Sequence, residues 1–270
     1  MKQKLLFIIA FLMAAVLTGC TKQKKVLVLY YSQTGTTQAV AEELQKQLGA
    51  DIERIEVAVP YDGNFGATIE RSRQERESGE LPELQPIVAN LADYDVIFLG
   101  YPIWFGTYAM PIATLVKEND FEGKTIVPFC TFGSGGLGSS TEALKEALPK
   151  AEVRQGYGVR QARIEAAPRV IERFLIENGF KEGTAAPLPE YSEQVPVTAE
   201  DSLVFEAACS GYQFPLGTPQ TVGKRETEES TDYKFTVKGR GFKGEESTST
   251  IFVTVGKEED AKPEFTEVVR

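Results

Sequence analysis

The chain of 270 residues has no histidine, one tryptophan and three cysteines. Without histidine it lacks the commonest general base and the commonest zinc ligand, which excludes the usual serine or cysteine hydrolase triads and His-based metal centres. No catalytic side chain and no metal site are expected. Basic residues are also short: 29 Lys and Arg against 39 Asp and Glu give a formal net charge of -10. Nucleic acid is therefore not an expected partner, since phosphate contacts need a basic face. An acidic surface suits basic partner proteins, or simple solubility. The longest apolar run, Leu5 to Leu17, is too short to cross a bilayer comfortably.

That run lies within a recognisable leader. "MKQKLLFIIAFLMAAVLTGC" places Lys2 and Lys4 before the apolar stretch and small residues after it, as a secretory signal does. "LTGC" resembles a lipobox, which implies cleavage before Cys20 and lipid on that cysteine. Loss of Lys2 and Lys4 takes the formal charge from -10 to -12. Several acyl chains anchor stably where one does not, so a membrane-tethered protein outside the cytoplasm is expected. Cys130 and Cys209 lie in different segments, outside any C-x-x-C pair, and read as buried thiols.

From Val26 to about Phe180, strand and helix patterns alternate. "KVLVLYYS", "DIERIEV", "DYDVIFLGY", "KTIVPFCTF" and "AEVRQGYGV" read as strands, the first a continuous apolar run covered on both faces. Val40, Leu44 and Leu48 form a helical stripe, and a charged helical insertion follows from Phe65 to about Asn90. Five strands separated by helices predict an α/β, doubly wound parallel sheet that binds ligands at the carboxyl ends of its strands. The expected organisation is a leader over 1–20, this domain over 21–182, a Pro-containing linker over 183–196 and a small α+β module over 197–270. In that module one helix precedes "DYKFTVKGRG", "STSTIFVTVG" and "PEFTEVVR", an antiparallel meander. A docking or dimerisation role is expected for it.

Three strand ends carry loops suited to a ligand. After the first come Ser32, Gln33, Thr34, Gly35, Thr36 and Thr37, hydroxyls and one glycine opening a helix. The free amides and dipole of a helix N-terminus favour an anion. The loop lacks the Lys of G-x-x-x-x-G-K-[ST] and lacks G-x-G-x-x-G, so a single terminal phosphate suits it best. After the third strand, "YPIWFGTYAMP" places the only tryptophan, Trp104, beside Pro102, Ile103, Phe105 and Gly106, a surface for a flat ring. After the fourth, "TFGSGGLGSS" offers Thr131, Phe132, Gly133, Ser134 and Gly135, whose backbone can line a heterocycle edge.

Phosphate, aromatic face and polar ring edge together describe flavin mononucleotide (FMN). "SQTGTT" resembles the flavodoxin phosphate loop [ST]-x-T-G-x-T, and "GYPIWFGTYAMPI" and "PFCTFGSGGLGSS" are similar to the second and third flavin loops of that family. The resemblance covers roughly Lys25 to Phe180. It implies a flavodoxin-like sheet with FMN held at the phosphate by Ser32 to Thr37. It implies that Pro102, Ile103, Trp104, Phe105 and Gly106 lie against the ring, and Thr131 to Gly135 along its edge. The implied activity is electron transfer to redox partner proteins. An FMN-dependent NAD(P)H:quinone-type reductase and a non-redox adaptor presenting the C-terminal module remain open alternatives.

Overall fold

The computed structural model describes residues 24–61, 63–133, 135–212, 215–240 and 244–269. The leader with Cys20 lies outside these residues, as does Ser134. Within them no helix is long and apolar enough to cross a membrane.

In chain order the first domain comprises β1 (Val26–Tyr30), α1 (Thr36–Leu48), β2 (Asp51–Arg54) and α2 (Phe65–Ser78). Then come β3 (Val96–Trp104), β4 (Thr107–Tyr108), α3 (Met110–Glu118), β5 (Thr125–Phe132) and α4 (Ser140–Ala147). β6 (Glu152–Val153), β7 (Tyr157–Arg160) and α5 (Ala167–Glu177) complete it. Strand order is β2–β1–β3–β5, with β6 and β7 sharing the outer position beside β5, and all of these pairings are parallel. The chain steps from β1 to β2 on one side and then returns to β3 on the other. This reversal opens a crevice at the carboxyl ends of β1 and β3.

Alternation along the strands sorts side chains onto two faces. Val28, Phe98, Val127 and Phe129 pack beneath α1 and α5, meeting Val40, Leu44, Ile171 and Leu175. Leu27, Leu29, Ile97, Leu99 and Ile126 pack beneath α3 and α4, meeting Ile112, Leu115 and Leu144. Every residue of β5 is buried, as a central parallel strand requires. Each fully buried Leu, Ile, Val or Phe is worth about 1.5–3 kcal/mol over its exposed state. These two cores hold the strand ends in place.

The expected doubly wound sheet is observed, with one difference in its last strand. "AEVRQGYGV" is broken into β6 and β7, and its register against β5 slips by one residue between Val153 and Tyr157. The slip turns Tyr157 and Val159 into the α1/α5 core, whereas Val153 packs in the other. The charged insertion is helical only over Phe65–Ser78; beyond it the chain is extended, and Leu84 bridges to Val57.

The C-terminal module comprises β8 (Val195–Pro196), α6 (Ala199–Cys209), β9 (Thr218–Glu226), β10 (Ser230–Arg240), β11 (Glu246–Gly256) and β12 (Glu264–Val269). The strands form one antiparallel sheet in the order β12–β11–β10–β9–β8. Phe205 of α6 packs on Val222, Phe235, Ile251, Val253 and Phe265. Thr198 and Asp201 form a reciprocal capping box at the start of α6. The meander has one long strand more than the three expected. β9 is the addition, and the end of the presumed linker, Val195–Pro196, pairs with it as β8. Both remaining cysteines are free thiols: Cys130 is buried, and Cys209 is partly so, with burial pushing its thiol up to about 12.

Candidate functional site

The loops following β1, β3 and β5 meet at one edge of the sheet. At the first, Ser32 is 1% exposed, and its Oγ accepts from the amides of Gly35 (3.1 Å) and Gln38 (3.3 Å). These two bonds draw the loop closed over the start of α1. Gly35 caps that helix at φ 88°, a left-handed conformation that any side chain would strain. The amides of Thr36 and Thr37 open the helix and have no carbonyl one turn back. No acidic residue occupies the first turn. Thr34 and Gly35 are exposed, and the Thr34 and Thr36 hydroxyls lie 3.3 Å apart. Arg54, at the end of β2, donates to the Ser32 carbonyl (2.9 Å). The mouth of this loop is thus electropositive and open.

The second loop is tighter than a loop. β3 runs through Pro102 and Ile103 to Trp104, then turns back as β4, pairing Trp104 with Thr107. Phe105 (φ 51°) and Gly106 (φ 79°) both adopt the left-handed conformations of a two-residue hairpin turn. Trp104 meets Tyr31 edge-on at 5.9 Å and Tyr61 at 5.1 Å. The Tyr61 hydroxyl donates to Glu75 (2.6 Å), and the Arg71 guanidinium lies 4.0 Å from its ring centre while pairing with Glu75 (2.8 Å). Burial and the Glu75 carboxylate push the Tyr61 hydroxyl well above the usual tyrosine range, so it remains protonated. Arg76 reaches the Phe105 carbonyl (3.4 Å). The charged insertion helix therefore buttresses an aromatic wall around Trp104. Phe105 is 44% exposed at this mouth, and the buried Thr107 hydroxyl beside Trp104 has no hydrogen-bond partner among the described residues.

The third loop is tied to the other two. Thr37 and Thr131, buried in adjacent elements, share a hydroxyl–hydroxyl hydrogen bond of 2.8 Å. The Gly106 carbonyl accepts from both the amide (3.1 Å) and the hydroxyl (3.0 Å) of Ser139. Gly133 and Gly135 are exposed, with open space where a Cβ would be.

The structure thus brings the sequence-predicted residues of all three loops together, apart from Ser134, which lies outside the described residues, although their roles differ. The side chain of Gln33 is committed inside the protein, accepting from Tyr31 Oη (2.7 Å) and donating to the Tyr61 carbonyl (3.4 Å). Phe132 is sunk to 8% exposure in the core, so Phe105 is the exposed aromatic beside Trp104. Arg54, Tyr31, Tyr61, Arg71, Thr107 and Ser139 were not foreseen. The available signals were the tyrosine pair ending the first strand and the tyrosine following Pro60.

The domain that carries these loops resembles known proteins. The sequence profile of the family described as Flavodoxin matches residues 25–180. A solved structure described as a flavoprotein from Bacteroides uniformis ATCC 8492 is 30% identical, with TM-score 0.50, covering 56% of this chain and 99% of that one. Another from Bacteroides eggerthii DSM 20697 is 33% identical, with TM-score 0.48, covering 56% and 99%. A curated relative, NAD(P)H dehydrogenase (quinone) 3 of Rhizobium meliloti (strain 1021), is 34% identical over 122 residues, 41% of this chain. That stretch spans only 54% of the relative's length. The C-terminal module lies beyond the profile match. With the match extending over more than half of its residues, the chain belongs to the flavodoxin family.

Proposed function

We propose that the protein is a flavodoxin-type electron carrier whose cofactor is FMN, tethered to a membrane outside the cytoplasm through lipid on Cys20. The supporting observation is the loop Ser32–Thr37, open at a helix N-terminus and bonded through Thr37 to Thr131 of the third loop. The residues fit FMN in three respects. The amides of Thr36 and Thr37 and the exposed Thr34 suit a phosphate, with no carboxylate in the first helical turn to repel it. Trp104 and Phe105 suit the ring, next to the Thr107 hydroxyl, which is unpaired among the described residues. Open space at Gly133 and Gly135 admits a ring edge to the backbone.

FMN supplies the one-electron chemistry when bound; the protein supplies orientation and electrostatics. The edge-on contacts of Trp104 with Tyr31 and Tyr61, each worth about 0.5–1.5 kcal/mol, keep the wall rigid and dry. Burial and Glu75 keep the Tyr61 hydroxyl protonated, so it is no acid catalyst near neutral pH. Electron transfer needs none, in keeping with a chain that lacks histidine. The leader ending in "LTGC" supports the tether, and the formal charge of -12 after its removal suits a basic redox partner.

The quinone dehydrogenase relative favours a second reading, direct reduction by a nicotinamide cofactor. Anaerobic reduction of the FMN-loaded protein separates the two. A carrier is reduced by dithionite in resolved one-electron stages and only sluggishly by NADH or NADPH. Rapid two-electron bleaching by either nucleotide would overturn the carrier in favour of the reductase.

A further inference from the structure

The C-terminal module touches the candidate flavin site directly. Arg160, the last residue of β7, donates from Nε to the Gly133 carbonyl of the third loop (2.8 Å). Its Nη1 donates to the Phe265 carbonyl of β12 (3.0 Å), and the guanidinium lies 4.5 Å from the Phe265 ring centre. Arg163 adds a bond to Glu264 at the start of the same strand (3.0 Å). Two residues beyond Phe265, the Glu267 carboxylate packs on Gly136, where a Cβ would collide with it. A small cavity of about 70 Å³ lies at this seam, lined by Phe132, Tyr157, Arg160, Arg163, Thr266 and Glu267 among others.

Two physical points give these contacts meaning. A loop as rich in glycine as 133–138 has much conformational freedom to lose, so a ligand that needs it ordered binds better if it is ordered beforehand. Arg160 does this with one planar group gripping the loop on one side and β12 on the other. The Glu267 side chain is half-buried with no hydrogen bond or ion pair among the described residues, and burial raises its carboxyl above the usual range. The buried Cys130 thiol, also raised chiefly by burial, lies near enough to feel its charge. Holding a partly buried carboxylate against a loop with no partner costs free energy.

We propose that the C-terminal module is a built-in component of the flavin site. In this reading β12 presets the third loop through Arg160 and sets the Glu267 carboxylate against it, so that flavin occupancy and the seating of β12 are coupled. The inference rests on the FMN reading above and assigns the module a role inside the site. Coupling is reciprocal: whatever unseats β12 weakens flavin binding, and bound flavin tightens β12. Arg160 is accordingly a positioning residue, and Glu267 is the charge that reduced flavin must face.

The test uses the mature full-length chain with three readouts. FMN should slow amide exchange across Glu264–Val269, although those amides lie in another module. Arg160→Met should weaken FMN binding about tenfold, measured by fluorescence quenching. Glu267→Gln should favour the second electron about tenfold, a rise of about 59 mV in that one-electron potential, which a purely structural role would not produce. If wild type binds FMN while β12 exchange is indifferent to it, the coupling is refuted and the flavodoxin reading stands. If Arg160→Met fails to fold, the wild-type exchange and Glu267→Gln potential still decide. If wild type binds no FMN, both readings fall together.

Discussion

The buried bond between Thr37 and Thr131 ties the loop after β1 to the loop after β5, and its worth follows from the burial of both groups. Thr37 is 1% exposed and Thr131 4%, so neither hydroxyl has water to fall back on. Replacing one by valine keeps the volume but strands the other hydroxyl, a cost of about 1–3 kcal/mol. Replacing both removes the stranded group, and the double variant should be nearly as stable as wild type. Thr37→Val and Thr131→Val therefore each destabilise by about 2 kcal/mol, the pair together by less than 1, giving a coupling of about 3 kcal/mol. Urea denaturation followed by Trp104 fluorescence reads this directly, because Trp104 is the only tryptophan and sits in the same crevice. In a hydroxyl pair one proton is shared and the other is free to donate, so the double variant should fold well yet bind FMN more weakly. If the single costs simply add, the two hydroxyls are not partners and the proposed coupling of the loops fails.

Three further outcomes follow from the same contacts. Tyr61→Phe should cost only about 1 kcal/mol in a urea titration, because Arg71 still satisfies Glu75. At Asp201, burial works against ionisation, but the Lys224 and Thr198 bonds outweigh it and hold the carboxyl below its usual range. A depressed carboxylate stabilises above its unfolded pKa and loses that contribution as pH falls through the folded value. Asp201→Asn should therefore lower the urea midpoint at pH 7, with the gap closing as pH drops below about 4. Glu267 has the opposite sign, since burial raises its carboxyl and the fold favours the neutral form. That contribution is present below the unfolded pKa and lost as pH rises through the folded one. Glu267→Gln should raise the melting temperature of apoprotein at pH 7–8 and leave it unchanged below about pH 4.

Much of this architecture is legible from the sequence because burial on both faces leaves a plain mark. "VLVL" and "IVPFC" are apolar throughout, and the stripe Val40, Leu44 of α1 turns toward the core as the spacing predicts. The turn from β1 into α1 is legible for a different reason: the hydroxyls and glycine of Ser32–Thr37 are more than a helix cap needs. β9 is not, since Pro219, Gly223 and three charged residues mask the alternation in Thr218–Glu226. The aromatic wall is hidden because α2 has almost no apolar stripe; it works through Arg71, Glu75 and Arg76, whose partners lie in other segments. The grip of Arg160 joins residues 27 and 105 positions apart, which no local pattern reveals.

The proposed electron carrier depends on the Ser32–Thr37 loop receiving the phosphate of FMN. The most direct measurement compares the dissociation constants of the mature chain for FMN and for riboflavin, which lacks that phosphate. FMN should bind at least a hundredfold tighter, about 2.8 kcal/mol, with the difference largely lost when Gly35→Val distorts the left-handed turn. Equal affinity for the two would mean that the Ser32–Thr37 loop holds no phosphate.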